Sequence, residues 1–124
     1  MSGAAFDSGE LCFLADGSGS LIGYQETGAS WTNLLAFSSE QRALQFRRDS
    51  GLSKCAVVAL DLADAASLDA LIAQVKRRAV RSLLVDLDYH TGRCREVGFV
   101  GQSLAAPTER QLAPRTAGLS VTRT

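Results

Sequence analysis

The middle of the chain, from Trp31 to Asp88, constrains the fold most, because apolar runs and amphipathic stretches alternate there with a start or stop signal at most boundaries. It reads strand, helix, strand, helix, strand. Trp31 to Phe37 is the first strand. Ser38 caps the following helix, and Gln41, three residues on, returns the bond as in a capping box. Ala43, Leu44 and Phe46 supply an apolar stripe, and Arg47 and Arg48 suit the negative C-terminal end. Gly51 is a C′ residue free to adopt positive φ, with Leu52 to make the accompanying apolar contact. Cys55 to Leu60 is apolar on both faces, the pattern of a central strand covered on two sides. Asp64 caps the second helix, in which Leu68, Leu71, Ile72, Val75 and Ala79 fall at i, i+3, i+4, i+7 and i+11. Ser82 to Leu87 is the last strand of the unit.

The flanks extend this unit. Leu11 to Ala15 and Leu21 to Tyr24 are short apolar runs joined by Asp16-Gly17-Ser18-Gly19-Ser20, which predicts a β-hairpin. With the strand at Trp31 to Phe37 they make an antiparallel meander. Tyr89 to Arg93 reads as a turn, and Arg95 to Val100 as a returning strand with Val97 and Phe99 on one face. The predicted fold class is therefore α+β: a mixed sheet of five or six strands, an N-terminal antiparallel meander and a βαβαβ segment. The two helices are expected mainly on one face, which leaves an apolar sheet face to be covered by something else. Residues 1–102 read as one domain. Residues 103–124 hold both prolines, Pro107 and Pro114, and no aromatic residue. They are expected as a flexible or partner-ordered tail, although Leu104, Leu112, Leu119 and Val121 offer an alternative cover for the open face.

Charge excludes some function classes. Thirteen basic and thirteen acidic residues cancel, so there is no net pull toward nucleic acid or a membrane surface. The distribution is uneven. Five acids and no Lys or Arg precede Arg42, while thirteen bases and eight acids follow from Arg42 onward, giving halves of −5 and +5. No apolar run reaches membrane-spanning length, and the start lacks the basic and apolar regions of a secretory signal. Cys12, Cys55 and Cys94 are odd in number, widely spaced and without a Cys-x-x-Cys, so neither a disulfide framework nor a zinc site is implied. Three reduced thiols fit a cytoplasmic setting.

Four constellations bear on chemistry. Asp61 ends one strand and Asp86 and Asp88 another. In a parallel βαβ unit these ends share one sheet edge, where ligands of open α/β sheets bind. With His90 they are the candidate metal ligands, able to hold Mg²⁺ through oxygens and water, against the plainer account that each Asp stops a strand. His90 and Cys94 flank a turn and would make a thiolate nucleophile if they met, but no oxyanion site or orienting group accompanies them. The Asp16–Ser20 loop is glycine-rich but leads into a strand, not the helix N-terminus a phosphate loop requires. Arg77, Arg78, Arg81, Arg93 and Arg95 make a possible basic patch, with Tyr89 as the one aromatic nearby, which is thin for nucleic acid. Trp31 and Tyr24 are expected to flank one end of the meander, with Trp31 in the core; an exposed Trp there would mark a contact surface.

The run Leu35-Ala36-Phe37-Ser38-Ser39-Glu40 with Ala43 and Phe46, then Val57-Val58-Ala59-Leu60-Asp61 with Leu68 to Val75, then Leu84-Val85-Asp86, resembles the N-terminal domain of the SseB family, small bacterial proteins of secretion-linked or unassigned role. The resemblance covers roughly residues 11 to 88 and rests on pattern. After Asp86 the chain departs from it, with Leu87-Asp88-Tyr89-His90 where the family tends to carry a proline-containing segment. The family offers no established catalytic residues, so the resemblance implies a non-enzymatic role.

The expectation is a small cytoplasmic interaction or accessory module without catalytic residues or cofactor. It would associate through a sheet face or an edge strand as a homodimer or with a protein partner. The alternatives are a metal-assisted phosphoryl or phosphodiester enzyme using Asp61, Asp86 and Asp88, and a nucleic-acid binder using the arginines.

Overall fold

A computed structural model describes residues 10–25, 30–77, 79–100, 103–112 and 119–120. The elements are β1 (Glu10–Ala15), β2 (Gly23–Tyr24), β3 (Thr32–Phe37), α1 (Glu40–Ser50), β4 (Ala56–Asp61), α2 (Ala65–Arg77), β5 (Val80–Val85), β6 (Arg93–Val100), β7 (Ser103–Leu104), β8 (Thr108–Gln111) and β9 (Leu119–Ser120). The fold is α+β, built on one mixed sheet. Five long strands run in the order β4-β1-β3-β5-β6, and the short strands β2, β7, β8 and β9 extend its margins.

Local signals place the helices. Ser39, one residue later than the sequence suggests, is the N-cap of α1 and accepts a hydrogen bond from the Arg42 N–H. Ser38 is drawn away by Asp86, described below. Gly51 closes the helix at φ 79°, a left-handed conformation that costs glycine nothing. Asp64 caps α2 through the Ser67 N–H at 3.0 Å.

Strand order differs from expectation in ways that have physical causes. The Asp16–Ser20 loop does close on itself: Ala15 bridges Leu21, and the Ile22 N–H donates to Leu14. The chain then resumes its direction, so β1 and β2 both lie antiparallel beside β3 and the order is not a sequential meander. β4 is not central. It pairs with β1 and ends the sheet. Its two-faced apolar pattern comes from the helices, since Cys55 and Val57 belong to the α1 side and Val58 and Leu60 to the α2 side.

The helices lie on opposite faces, not on one. Cys12, Leu14, Leu35, Phe37 and Leu84 pack with Ala43 and Phe46 of α1, whereas Leu11, Phe13, Leu34, Ala36, Leu83 and Val85 pack with Leu71 of α2. The reason is topological. The connection from β3 to β4 travels one way across the sheet and the connection from β4 to β5 travels back. Two crossovers of the same hand running in opposite directions must use opposite faces. The open apolar face therefore does not exist. Among the described residues only Trp31 and Leu44 are large exposed hydrophobics.

Three short strands from the segment expected as a tail join the sheet. β7 and β8 pair with β6, and β9 pairs with β2. Leu104 packs against the α2-side core and Leu112 is buried in the α1-side core, so this segment helps cover both faces. Val97 and Phe99 share the α2 side as the alternation implies. Val121 lies outside the described residues. No helix among the described residues is long and apolar enough to cross a membrane.

Candidate functional site

The acidic strand ends are held by their own neighbours. β5 stops because Asp86 turns to φ 57°, so Asp86 and Asp88 do not continue one strand face. The Asp86 carboxylate then reaches the entry to α1. Oδ1 accepts the Ser38 N–H at 2.8 Å, and Oδ2 accepts the Ser38 hydroxyl at 2.8 Å and Arg95 Nη2 at 3.3 Å. Arg42 Nε stands 3.9 Å away, and the Asp86 side chain is only 12% exposed. Asp61 accepts the Ala63 N–H at 3.0 Å, which turns the chain toward α2. Asp88 accepts the N–H groups of His90 and Thr91 and so closes the turn into β6.

These positions do not make a metal centre. Asp61 ends β4 and Asp86 follows β5, three strand spacings apart in the order β4-β1-β3-β5, or about 14 Å. His90 faces Asp49 at 3.5 Å. Among the described residues no three His, Cys, Asp or Glu side chains are grouped to hold a metal ion. A crevice of about 60 Å³ lies between α1 and the turn after β5, lined by Arg42, Asp49, Asp86, Asp88 and Tyr89 among others. Ligand pockets run to roughly 300–1,000 Å³, so this one takes a few waters and no metabolite.

The remaining candidates are likewise engaged or dispersed. Cys94 is buried beside Leu112, and burial pushes its thiol up to about 11. That is the opposite of an activated nucleophile, and the exposed His90 ring is taken by Asp49. Burial also raises Cys12 and Cys55, and all three thiols are unpaired. In the Asp16–Ser20 loop, Asp16 Oδ1 already accepts the N–H groups of Ser18 and Ser20, so two donors a phosphate would need are used. The arginines do not form one patch, although Arg93 and Arg95 share an open hollow with Arg42, Asp86 and Glu109. Arg77 ends α2, Arg95 pairs with Asp86 at the far end of β5, and Arg81, near the start of β5, stacks its guanidinium 4.8 Å over the Trp31 ring. Trp31 is thus a surface residue and not a core one, while Tyr24 is buried. Arg78 lies outside the described residues.

Sequence reading missed one polar chain. On the α1 side of the sheet the Asn33 amide donates to the Ser82 hydroxyl at 2.6 Å, Ser82 donates to Glu96 Oε2 at 2.6 Å, and Arg110 Nη1 reaches Glu96 Oε1 at 2.7 Å. Asn33 within an apolar strand was the available signal. Its partners come from β5, β6 and β8, so only the register reveals them. Every member has a partner, and the chain ties β3, β5, β6 and β8 together.

One feature of the sheet is not engaged. β4 pairs with β1 over all six residues, and among the described residues nothing pairs with its other side. The opposite margin is treated differently, since β6 is covered by β7 and β8. The outward groups follow from the ladder. The Asp86 N–H donates to Ala36 and the Leu35 N–H to Ile22, so along β3 the even residues bond toward β5 and the odd ones toward β1 and β2. Cys12, opposite Phe37, therefore bonds toward β3, and Ala59, opposite Cys12 on β4, directs its N–H and C=O outward. By alternation so do Val57 and the N–H of Asp61, whose C=O is taken by the Asp64 N–H at 3.0 Å. The edge is apolar from Ala56 to Leu60 and carries no Lys, Pro or bulge, the devices that normally guard an edge.

No family model, no curated protein and no solved structure matches this chain.

Proposed function

We propose that the protein is a small cytoplasmic interaction module, without catalytic activity of its own, that docks an extended strand of a protein partner on the free edge of β4. The observation that carries this reading is the contrast between the two margins of the sheet: one is covered by its own chain, the other is open, apolar and unguarded. A strand added there would gain main-chain hydrogen bonds from Val57, Ala59 and the Asp61 N–H, the affinity source of strand-addition recognition. The sequence resemblance to a family without established catalytic residues agrees with it, and three unpaired buried thiols suit a reducing compartment. The hydrolytic alternative needs Asp61 and Asp86 to converge, and the nucleic-acid alternative needs a continuous basic face. Neither has a supporting geometry among the described residues.

The test is a photo-crosslinking residue placed at the exposed Ala59 of the full chain, expressed in its own host, with the same residue at exposed Asp69 on α2 as control. Covalent adducts at position 59 and not at 69, with the joined peptide identified by mass spectrometry, support strand docking. Equal or absent adducts at the two positions defeat it.

A further inference from the structure

The flank of α1 beside this edge narrows the choice of partner. Arg47 donates to the Cys55 carbonyl at the start of β4 at 3.0 Å, whereas Arg42 and Asp49 face the crevice toward Asp86 and Tyr89. The side of α1 opposite that crevice therefore overlooks the open edge. On a 3.6-residue helix Glu40, Leu44 and Arg48 follow one another at i, i+4 and i+8 along this side. All three are exposed, Leu44 by 37%, and Leu44 is one of the two large exposed hydrophobics described. Among the described residues neither Glu40 nor Arg48 forms an ion pair within the chain.

This stripe is complementary to itself when reversed. Two copies of α1 laid antiparallel set Glu40 against Arg48, Leu44 against Leu44, and Arg48 against Glu40. The β4 edge has the same property. Antiparallel pairing requires outward residues to meet outward residues. A two-fold axis through Ala59 satisfies this, because Val57 then meets Asp61 and Ala59 meets Ala59. Parallel pairing of the helices would instead set like charges together.

We propose that the strand docked on β4 is the β4 of a second copy, antiparallel about a two-fold axis near Ala59, with the Glu40–Leu44–Arg48 stripes of the two α1 helices meeting on one face of the joined sheet. A closed two-fold contact of this kind buries both free edges and both exposed leucines at once. The inference rests on the edge-docking reading and adds the identity and geometry of the partner.

The experiment is the mass of the full chain by light scattering over a concentration series, with circular dichroism to confirm that each variant is folded. The wild type is expected to dimerise in the micromolar range. Ala59→Pro removes an outward N–H and no bond to β1, and should leave a folded monomer. Glu40→Arg and Arg48→Glu each create two symmetric like-charge contacts and should weaken the dimer about tenfold. The exchanged pair, Glu40→Arg with Arg48→Glu, should restore it. A folded chain that stays monomeric at high micromolar concentration overturns the second-copy inference, while adducts to a different protein at position 59 would leave edge docking standing. A dimer unaffected by Ala59→Pro overturns it too. A dimer lost in Ala59→Pro but not restored by the charge exchange keeps the edge and refutes the α1 geometry.

Discussion

Asp86 is the residue whose role changes most between sequence and structure, and its replacement separates the two accounts. A metal-site carboxylate is dispensable for folding. A latch is not. The structure gives Asp86 two hydrogen bonds to Ser38 and one to Arg95, on a backbone at φ 57°. Ser38 is exposed, so its freed groups can turn to water, and each of those bonds is set at the ordinary net value of about 1 kcal/mol, below the range for a charged acceptor. The Arg95 pair is partly solvated and adds less than about 1 kcal/mol. A left-handed backbone costs an ordinary residue roughly 1–2 kcal/mol, while glycine bears none of it and Asn little. Asp86→Asn keeps an acceptor and tolerates the backbone, so it should cost about 1 kcal/mol. Asp86→Gly loses every side-chain bond but suits the backbone, giving about 2 kcal/mol. Asp86→Ala loses both and should cost about 3–4 kcal/mol. Urea unfolding of the three variants and the wild type measures the series. The order Asn, Gly, Ala is the diagnostic. An alanine variant within about 0.5 kcal/mol of wild type, the range of plain surface changes, would refute the latch.

Leu71 is 1% exposed at the centre of the α2-side core, so Leu71→Ala should cost roughly 2–5 kcal/mol in the same assay; a loss below about 0.5 kcal/mol would mean that α2 docks by another face. Burial raises all three thiols, Cys94 to about 11, so the native protein should react slowly with a thiol reagent at mildly alkaline pH. Unfolding without reductant should then reveal three thiols, and a count of one would show a disulfide. For Glu96, burial pushes the carboxyl up, but hydrogen bonds from Ser82 and Arg110 and the Arg110 charge outweigh it and hold the pKa below the ordinary glutamate value. A carboxylate lowered in the folded state stabilises fully above its unfolded pKa and loses that contribution as pH falls through the folded one. The stability gap between wild type and Glu96→Gln should therefore be widest near neutrality and narrow in acid; a gap independent of pH would contradict the network. Calorimetry with Mg²⁺ and Mn²⁺ should show no binding tighter than millimolar, and a micromolar site lost in Asp86→Asn would reinstate the metal reading.

Where a structural decision is local, this sequence states it plainly. Gly51 ends α1, Asp64 starts α2, Gly92 at φ 78° turns the chain into β6, and the strands near Leu35, Leu60 and Leu84 fall within a few residues of their predicted places. Where the decision depends on distant partners, the signal is absent or misleads. Asp86 and Ser38 are 48 positions apart, and no spacing rule joins them. The Asn33–Ser82–Glu96–Arg110 chain needs the pairings of β5 with β6 and β6 with β8 before its members can be seen to meet. The tail is polar enough to read as disordered, yet its Leu104 and Leu112 pack on the two cores.

The misreading of β4 has the widest consequence. An apolar pattern on both faces of a strand reports what lies above and below it and says nothing about what lies beside it. Here α1 covers one face and α2 the other, so β4 carries the composition of a central strand at the end of the sheet. The helices that remove the open face therefore create the open edge. Because each crossover returns over a different face, neither helix leaves apolar sheet surface for a partner, and β4, reached from β3 and left toward β5, remains at the margin. Among the described residues the large apolar side chains left exposed are Leu44 and Trp31. What is left is backbone: the outward N–H and C=O groups of Val57 and Ala59 and the N–H of Asp61, which a neighbouring strand satisfies and a flat hydrophobic surface does not. Association through this fold is accordingly a matter of register and direction more than of buried area, which is why a single proline at Ala59 should abolish it while leaving the core intact.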